Sequence, residues 1–329
     1  MPLTKAYLAL GSNLGERFEQ LRDALRFLEE EGAGLLVQTS PVYENRAVGM
    51  GEGAGLFLNA VAEVRTPLPA EELLQACLRV EDRLGRTRSG GWAPRTIDID
   101  ILAYGDSELQ TGRLELPHPR IEERDFVVRP LLDIAPELRV RGRAVRELAK
   151  ALEMSGVRRL EARLSANPGV NCIVACAANR VIGRKGVLPW SAPEDWDIFL
   201  KKTLGGTLVM GRASFFEMTR EPTWAQDRRF VVLTHQRERV ESMGAAVVDS
   251  VAAGVAAARE TGRPVWICGG EAVYREALPL TERLHLTQID ACVAGDTYFP
   301  EWHAVFTKTV ASVPSTDENY KYTFHLLER

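Results

Sequence analysis

Asp98 and Asp100 alternate with Ile97, Ile99 and Ile101 in the stretch WAPRTIDIDI, residues 92–101. Residues two apart in a strand share a face, so the isoleucines pack one way and the carboxylates stand together on the other. Asp is a poor strand former, and like charges at that spacing repel. Two readings fit. One is a half-buried strand with its polar face in water. The other is a carboxylate pair holding a divalent cation, with Arg86, Arg88 and Arg95 just upstream as a basic supply for an anion. Carboxylates beside arginines suit a polyphosphate, because a bridging cation relieves the repulsion. No GxxxxGK[ST] occurs, so a P-loop is excluded.

A second acid poses a similar choice. Asp195 lies in LPWSAPEDWDIFLKK, residues 188–202, near the start of a helix whose Trp196, Phe199 and Leu200 face inward. An Asp there is a cap or dipole partner, or else the single carboxylate of an apolar pocket beside Trp190 and Phe199. Burial of the latter kind raises a carboxyl pKa and suits it to proton chemistry. Asp197 points elsewhere and reads as a solvated charge. Two strand–turn–helix junctions offer backbone N–H groups to phosphate: TLVMGR through Gly211 into Arg212, and PVWICGGEAVY through Gly269 and Gly270. The plain alternative for each is a tight turn. GMGEGAG, residues 49–55, lacks GxGxxG spacing and leads into a strand, so it reads as a mobile lid.

These residues need scaffolds. A chain of 329 residues suggests two domains; 45% hydrophobic and 26% charged residues indicate a globular chain. A formal net charge of -4 argues against a nucleic-acid partner. Five cysteines without CxxC or zinc spacing read as reduced thiols. No signal peptide or long apolar run is visible, so the expectation is a cytoplasmic protein with no membrane partner.

The first half reads strand (KAYLAL), helix (Phe18, Leu21, Leu25, Leu28), strand (LLVQTSPVYE), strand (FLNAVAEVRT), helix (Pro69 to Gly85) and strand (TIDIDILAYG). That βαββαβ order predicts an α+β ferredoxin-like domain, followed by C-terminal helices over about 122–160. Residues 1–164 form this domain, SANPG (165–169) the linker, and 170–329 a second domain. There strands and helices alternate, predicting an α/β fold with a mostly parallel central sheet.

GSNLG (11–15), PVYE (41–44), FLNA (57–60), WAPRTIDIDI and PHPRIEERDFVVRPL (117–131) together resemble the 6-hydroxymethyl-7,8-dihydropterin pyrophosphokinase family. The resemblance covers nearly all of 4–160. It implies transfer of the ATP pyrophosphoryl group to a hydroxymethylpterin, with AMP released and two Mg2+ ions held by Asp98 and Asp100. By the same match Arg86 and Arg95 are catalytic; Tyr43, Phe57, Asn59 and Phe126 bind the pterin; Glu81, His118 and Arg124 serve ATP. The loop 45–55 and the short loop 87–91 depart from the family pattern.

ANRVIG (178–183), LPW (188–190), LTQID (286–290) and GDTYFP (295–300), with the two glycine junctions, resemble dihydrofolate reductase over 170–329. This implies NADPH-dependent reduction of 7,8-dihydrofolate. Asp195 would be the acid, Thr287 its support, Phe199 and Arg228 substrate contacts. Ala175, Ile182, Gly183, Trp190, Gly269 and Gly270 would border the cofactor, with Gly211, Arg212, Thr234 and His235 near its adenosine phosphate. A cis Gly269–Gly270 bond is implied as well. Trp196, Cys268, Ala272 and the missing glycine before Arg228 depart from the pattern. The combined expectation is a bifunctional folate-pathway enzyme with small-molecule substrates. Because the two steps are not consecutive, direct transfer between sites is not expected, and association with other enzymes of the pathway stays open. The alternative is a pyrophosphokinase fused to a reductase-like domain that acts on a ribosylaminopyrimidine or only binds.

Overall fold

The computed structural model describes residues 2–47, 55–86, 94–152 and 156–329, the side chains of residues 161 and 163 excepted; the expected lid at 49–55 and the loop at 87–91 fall largely or wholly outside them. The chain divides into two compact units, Leu3–Ala166 and Asn167–Arg329. Among the described residues no helix is long and apolar enough to cross a membrane.

The first unit runs β1 (Thr4–Ser12), α1 (Arg17–Glu30), β2 (Leu35–Thr39), β3 (Pro41–Asn45), β4 (Phe57–Thr66), α2 (Ala70–Arg83) and β5 (Asp98–Tyr104). Next come the hairpin β6 (Leu109–Gln110) and β7 (Glu115–Leu116), α3 (Asp125–Ile134), the hairpin β8 (Arg139–Val140) and β9 (Arg143–Ala144), α4 (Val145–Ala151) and β10 (Val157–Arg163). The main sheet is antiparallel in the order β10-β3-β4-β1-β5, with β2 also on β4. Leu21, Leu25 and Leu28 of α1 and Leu73, Ala76 and Val80 of α2 bury one face against Ile97, Ile99 and Ile101. α3 and α4 cover the other through Val127, Val128, Leu131, Val145 and Leu148.

Two expectations are corrected here. LLVQTSPVYE is two strands, because Ser40 interrupts it: its Oγ accepts the Val61 N–H, filling the ladder place between β2 and β3. The tail over 122–160 is only partly helical. Arg141 and Gly142, at φ 46° and 82°, form a tight hairpin turn that no helix accommodates, and β10 supplies hydrogen bonds to the otherwise open edge of β3.

The second unit runs β11 (Val170–Ala177), β12 (Val181–Gly183), α5 (Pro193–Lys202), β13 (Thr207–Gly211), α6 (Arg212–Met218), α7 (Pro222–Ala225), β14 (Arg229–Leu233), α8 (Arg237–Glu241) and β15 (Ala246–Val248). It continues α9 (Val251–Glu260), β16 (Val265–Ile267), α10 (Glu271–Ala277), β17 (Arg283–Ile289), β18 (Thr297–Tyr298), β19 (Lys308–Thr316) and β20 (Lys321–Glu328). The main sheet has the order β15-β14-β13-β16-β11-β17-β20-β19, parallel from β15 to β17 and antiparallel beyond. Parallel strands buried on both faces explain runs such as TLVMG, whose first four residues are all buried.

Candidate active sites

The first site forms where β4, β1 and β5 run side by side. The register sets Asn59 opposite Gly11, and Gly11 opposite Asp98. Ile97, Ile99 and Ile101 are 0%, 3% and 2% exposed, so the carboxylates must emerge on the opposite face. Burying each isoleucine contributes roughly 2–3 kcal/mol. Two carboxylates about 7 Å apart repel by about 2–3 kcal/mol near a surface, against roughly three times that from the three isoleucines. Apolar packing therefore fixes the strand, and the charge pair is carried along.

Asp98 is held by Arg95 at 2.7 Å and Arg86 at 2.6 Å. Asp100 meets Arg124 at 3.4 Å, with the His118 Nε2 3.9 Å away. Burial, and then the neighbouring Asp98 charge, hold the Asp100 carboxyl above its ordinary pKa. Burial lowers His118, opposed by Asp100. The His118 Nδ1 accepts the Arg120 N–H, which leaves Nε2 toward Asp100.

A cleft opens over these groups, lined by Gly11, Asn45, Phe57, Asn59, Arg95, Asp98, Asp100, Arg124 and Phe126. Phe57 and Phe126 come from different elements, the start of β4 and the first turn of α3. Asn59 Nδ2 donates to Asn45 Oδ1 at 2.5 Å, which turns the Asn59 Oδ1 toward Gly11. Two expected residues lie elsewhere. Tyr43 is 5% exposed and donates its hydroxyl to Asp133 at 2.6 Å, beneath α3. Glu81 is 1% exposed, behind the strand: its Oε1 accepts the Ile99 N–H at 2.8 Å and pairs with Arg86. It positions groups at the site and does not face the cleft.

The sequence reading missed Asn45 and Asn13. Asn13 exchanges hydrogen bonds with Arg95, its Oδ1 accepting at 2.7 Å and its N–H donating to the Arg95 carbonyl at 3.2 Å, so the GSNLG loop fixes an arginine of the site. Asn13 lies inside the GSNLG motif, which is its sequence signal; Asn45 opens the 45–55 loop, and its pairing with Phe57 is visible only in the fold.

The second site centres on Asp195, in the first turn of α5. Thr287 Oγ1 donates to Asp195 Oδ1 at 2.6 Å, and Thr287 pairs with Ala175 across β11–β17. Burial pushes the Asp195 carboxyl up to about 6; the Thr287 hydrogen bond opposes this and the Glu194 charge adds to it. Trp190 is buried, while Ile182 is partly buried and Gly183 pairs with Thr297. Phe199 stacks on Trp196, 5.1 Å between rings, and Trp196 meets Trp224 edge-on at 4.8 Å. The bulk that departs from the family pattern thus joins an aromatic cluster.

Gly211 and Gly269 meet at the ends of β13 and β16: the Gly211 N–H donates to the Gly269 carbonyl at 2.7 Å. The Gly269–Gly270 bond is cis, and Gly269 has φ 107°, a conformation reserved for glycine. One strand over, Arg212 contacts Gln236, and Thr234 Oγ1 accepts the Gln236 N–H; Arg212 and His235 are exposed. Arg228 is occupied. Its Nε donates to Thr203 at 3.1 Å, and its Nη1 donates to the carbonyls of Trp224 at 2.8 Å and Gln226 at 3.0 Å. Its Nη2 donates to the Leu200 carbonyl, and burial lowers its pKa to about 10. A carboxylate cannot bind both ends of that guanidinium as it stands.

The family model for 7,8-dihydro-6-hydroxymethylpterin-pyrophosphokinase matches residues 7–136, and that for dihydrofolate reductase matches 169–329. The 2-amino-4-hydroxy-6-hydroxymethyldihydropteridine pyrophosphokinase of Methylorubrum extorquens is 41% identical over 159 residues, 48% of this chain and 100% of that protein. The protein of the same name from Bacillus subtilis is 42% identical over 133 residues, 40% of this chain and 79% of its own. A folic acid synthesis protein of Schizosaccharomyces pombe is 38% identical over 133 residues, 40% of this chain and 18% of that larger protein.

Proposed function

The chain belongs through its first unit to the 6-hydroxymethyl-7,8-dihydropterin pyrophosphokinase family and through its second to the dihydrofolate reductase family, and from that premise we propose how its residues divide the two reactions. It is a bifunctional enzyme of folate biosynthesis. The first reaction moves the pyrophosphoryl group of ATP to the pterin hydroxymethyl oxygen and releases AMP. The second passes hydride from NADPH to 7,8-dihydrofolate, with a proton added to the ring. A reductase-like unit that acts on a ribosylaminopyrimidine, or that only binds, is not favoured, because the reductase family model spans residues 169–329.

In the first unit the observation that carries the reading is the same-face pair Asp98 and Asp100 among arginines, beside a cleft with two aromatic rings. Two carboxylates whose charges disfavour each other fit a divalent cation, and two Mg2+ ions are expected with ATP. Bound Mg2+ would neutralise phosphate charge and make the β-phosphorus more electrophilic. Arg86 and Arg95 then serve the phosphates, with His118 and Arg124 beside them. The Asn59 Oδ1 accepts from the donor edge of the pterin, and Phe57 and Phe126 stack on its faces. A ferredoxin-like arrangement accounts for this layout: the edge strand β5 presents the carboxylates beside β1 and β4, and α3 delivers Phe126.

In the second unit Asp195, with Thr287, holds the amino edge of the substrate's pteridine ring and supports protonation of the ring nitrogen. A carboxyl raised to about 6 keeps a protonated fraction near neutrality. The facing glycines 211, 269 and 270 leave room for a pyrophosphate, and Arg212 with Thr234 and His235 suits the extra phosphate of NADPH. Arg228 has an occupied guanidinium, so its contribution to substrate binding is through the placement of α5.

The test uses one protein and two assays, Mg2+-dependent AMP release and NADPH oxidation with dihydrofolate. Asp98→Ala abolishes only the first and Asp195→Asn only the second. Folded wild type inactive in either assay, or a single substitution that stops both, overturns the reading.

A further inference from the structure

Two successive acidic residues, Glu194 and Asp195, open α5, and their carboxylates are tied to successive strands. Asp195 is bonded by Thr287 of β17 at 2.6 Å. Glu194 Oε2 accepts from the Ser315 hydroxyl at 2.8 Å and from the Tyr322 hydroxyl at 2.8 Å. Ser315 and Tyr322 face each other in the β19–β20 hairpin, and β20 lies next to β17. Ser315 is 5% and Tyr322 2% exposed, so neither hydroxyl finds water easily if the carboxylate is withdrawn. The helix start that presents the acid therefore rests on three neighbouring strands, through two side chains.

We propose that Glu194 is a positioning residue of the reductase site, anchoring the first turn of α5 on the β19–β20 hairpin and setting a fixed negative charge beside Asp195. The inference rests on the reductase reading and adds to it a residue that need not touch substrate. A neighbouring negative charge disfavours a second one, so Glu194 favours the protonated form of Asp195 that the reaction requires. Burial is the larger cause of the raised Asp195 pKa, and Glu194 acts in the same direction. Among the described residues Tyr274 of α10, whose hydroxyl donates to the Ile173 carbonyl, also interacts with the Asp195 charge. On the hairpin side Tyr322 donates to Glu194, and the Asp317 charge bears on Tyr322. Asp197, on the same helix, is paired with Lys201.

The test is the pH profile of kcat/KM for dihydrofolate with NADPH, in wild type, Glu194→Gln and Tyr322→Phe. Gln keeps an acceptor for both hydroxyls but no charge. Its apparent pKa falls by a few tenths to about one unit, leaving kcat/KM unchanged near ~pH 4 and about two- to tenfold lower near ~pH 7.5. Tyr322→Phe keeps the charge and removes one anchor, so kcat falls while the apparent pKa moves less than in Glu194→Gln. Should Glu194→Gln fail to fold, Glu194→Asp replaces it: the charge stays but is drawn one methylene back from the hydroxyls, and kcat falls with KM little changed. Absent wild-type turnover sinks the reductase reading and the proposal with it. Wild-type turnover with an unmoved profile in Glu194→Gln, or an unmoved kcat in Glu194→Asp where that replaces it, sinks the proposal alone.

Discussion

Gly11 faces Asn59 across the β1–β4 ladder, and a Cβ built on Gly11 would lie 3.0 Å from the Asn59 Oδ1. The same atom would stand 3.8 Å from the Phe57 ring and 4.0 Å from the Asp98 Cβ. Glycine here provides clearance; its φ is not among the positive ones, so alanine suits the backbone. Gly11→Ala presses on the buried Asn59, so it is expected to cost about 1–3 kcal/mol of stability and to raise KM for the pterin by on the order of tenfold, the scale of one methylene in a binding pocket. AMP release measured against pterin concentration checks this. An unchanged KM would mean that the pterin does not lie over Gly11.

Glu81 links the strand to its arginine. It is buried, accepts the Ile99 N–H and pairs with Arg86. Glu81→Ala strands the buried Ile99 amide and leaves Arg86 to Asp98, which costs about 1–3 kcal/mol. Urea unfolding followed on the isolated transition of the first unit should show that loss, together with a raised KM for ATP as Arg86 leaves its place. A loss below about 0.5 kcal/mol, the range of surface changes, would remove Glu81 from this role.

Arg228 separates a structural role from a recognition role. Its four hydrogen bonds reach Thr203 and the carbonyls of Leu200, Trp224 and Gln226, joining the end of α5 to α7 and the segment after it. Arg228→Met is expected to destabilise the second unit by about 1–3 kcal/mol, since part-buried carbonyls of Leu200 and Trp224 lose charged donors. Comparing dihydrofolate with dihydropteroate, which lacks the glutamate, then discriminates. If Arg228 acts through α5, both substrates lose efficiency alike; a defect confined to dihydrofolate would show direct pairing with the glutamate carboxylate.

Periodicity carried much of the fold. Isoleucines two apart, leucines at helical spacing, and the Pro69-to-Gly85 punctuation each led to an element at the expected place. What escaped depended on partners distant in sequence. Ser40 breaks a strand only because Val61 is there to bond it, and residues 157–163 extend because β3 offers an edge. The sites divide in the same way. Asp98, Asp100 and Asp195 were legible from type and spacing, while the occupied guanidinium of Arg228 and the hydroxyl of Tyr43 bonded to Asp133 follow from tertiary contacts that no local pattern encodes.

Asp195 offers the sharpest sign. Its carboxyl rises from an ordinary 3.8 to about 6, chiefly through burial. An acid whose folded-state pKa is raised binds its proton more tightly in the folded chain than in the unfolded one. Stability therefore falls as pH rises between those two values, and the full penalty is present above the upper one. Asp195→Asn removes the penalty. Because the side chain is not fully sealed from solvent, the expected gain above ~pH 6 is about 1–2 kcal/mol, shrinking through ~pH 4 and vanishing near ~pH 3. Activity moves oppositely: reduction of dihydrofolate drops by on the order of 10²–10⁴-fold, the usual contribution of a positioned acid or base. Melting curves at both ends of that range and turnover on the same samples give the answer. A variant both less stable and less active above ~pH 6 would make Asp195 an ordinary structural carboxylate, stabilised when ionised, and would end its assignment as the proton-handling group.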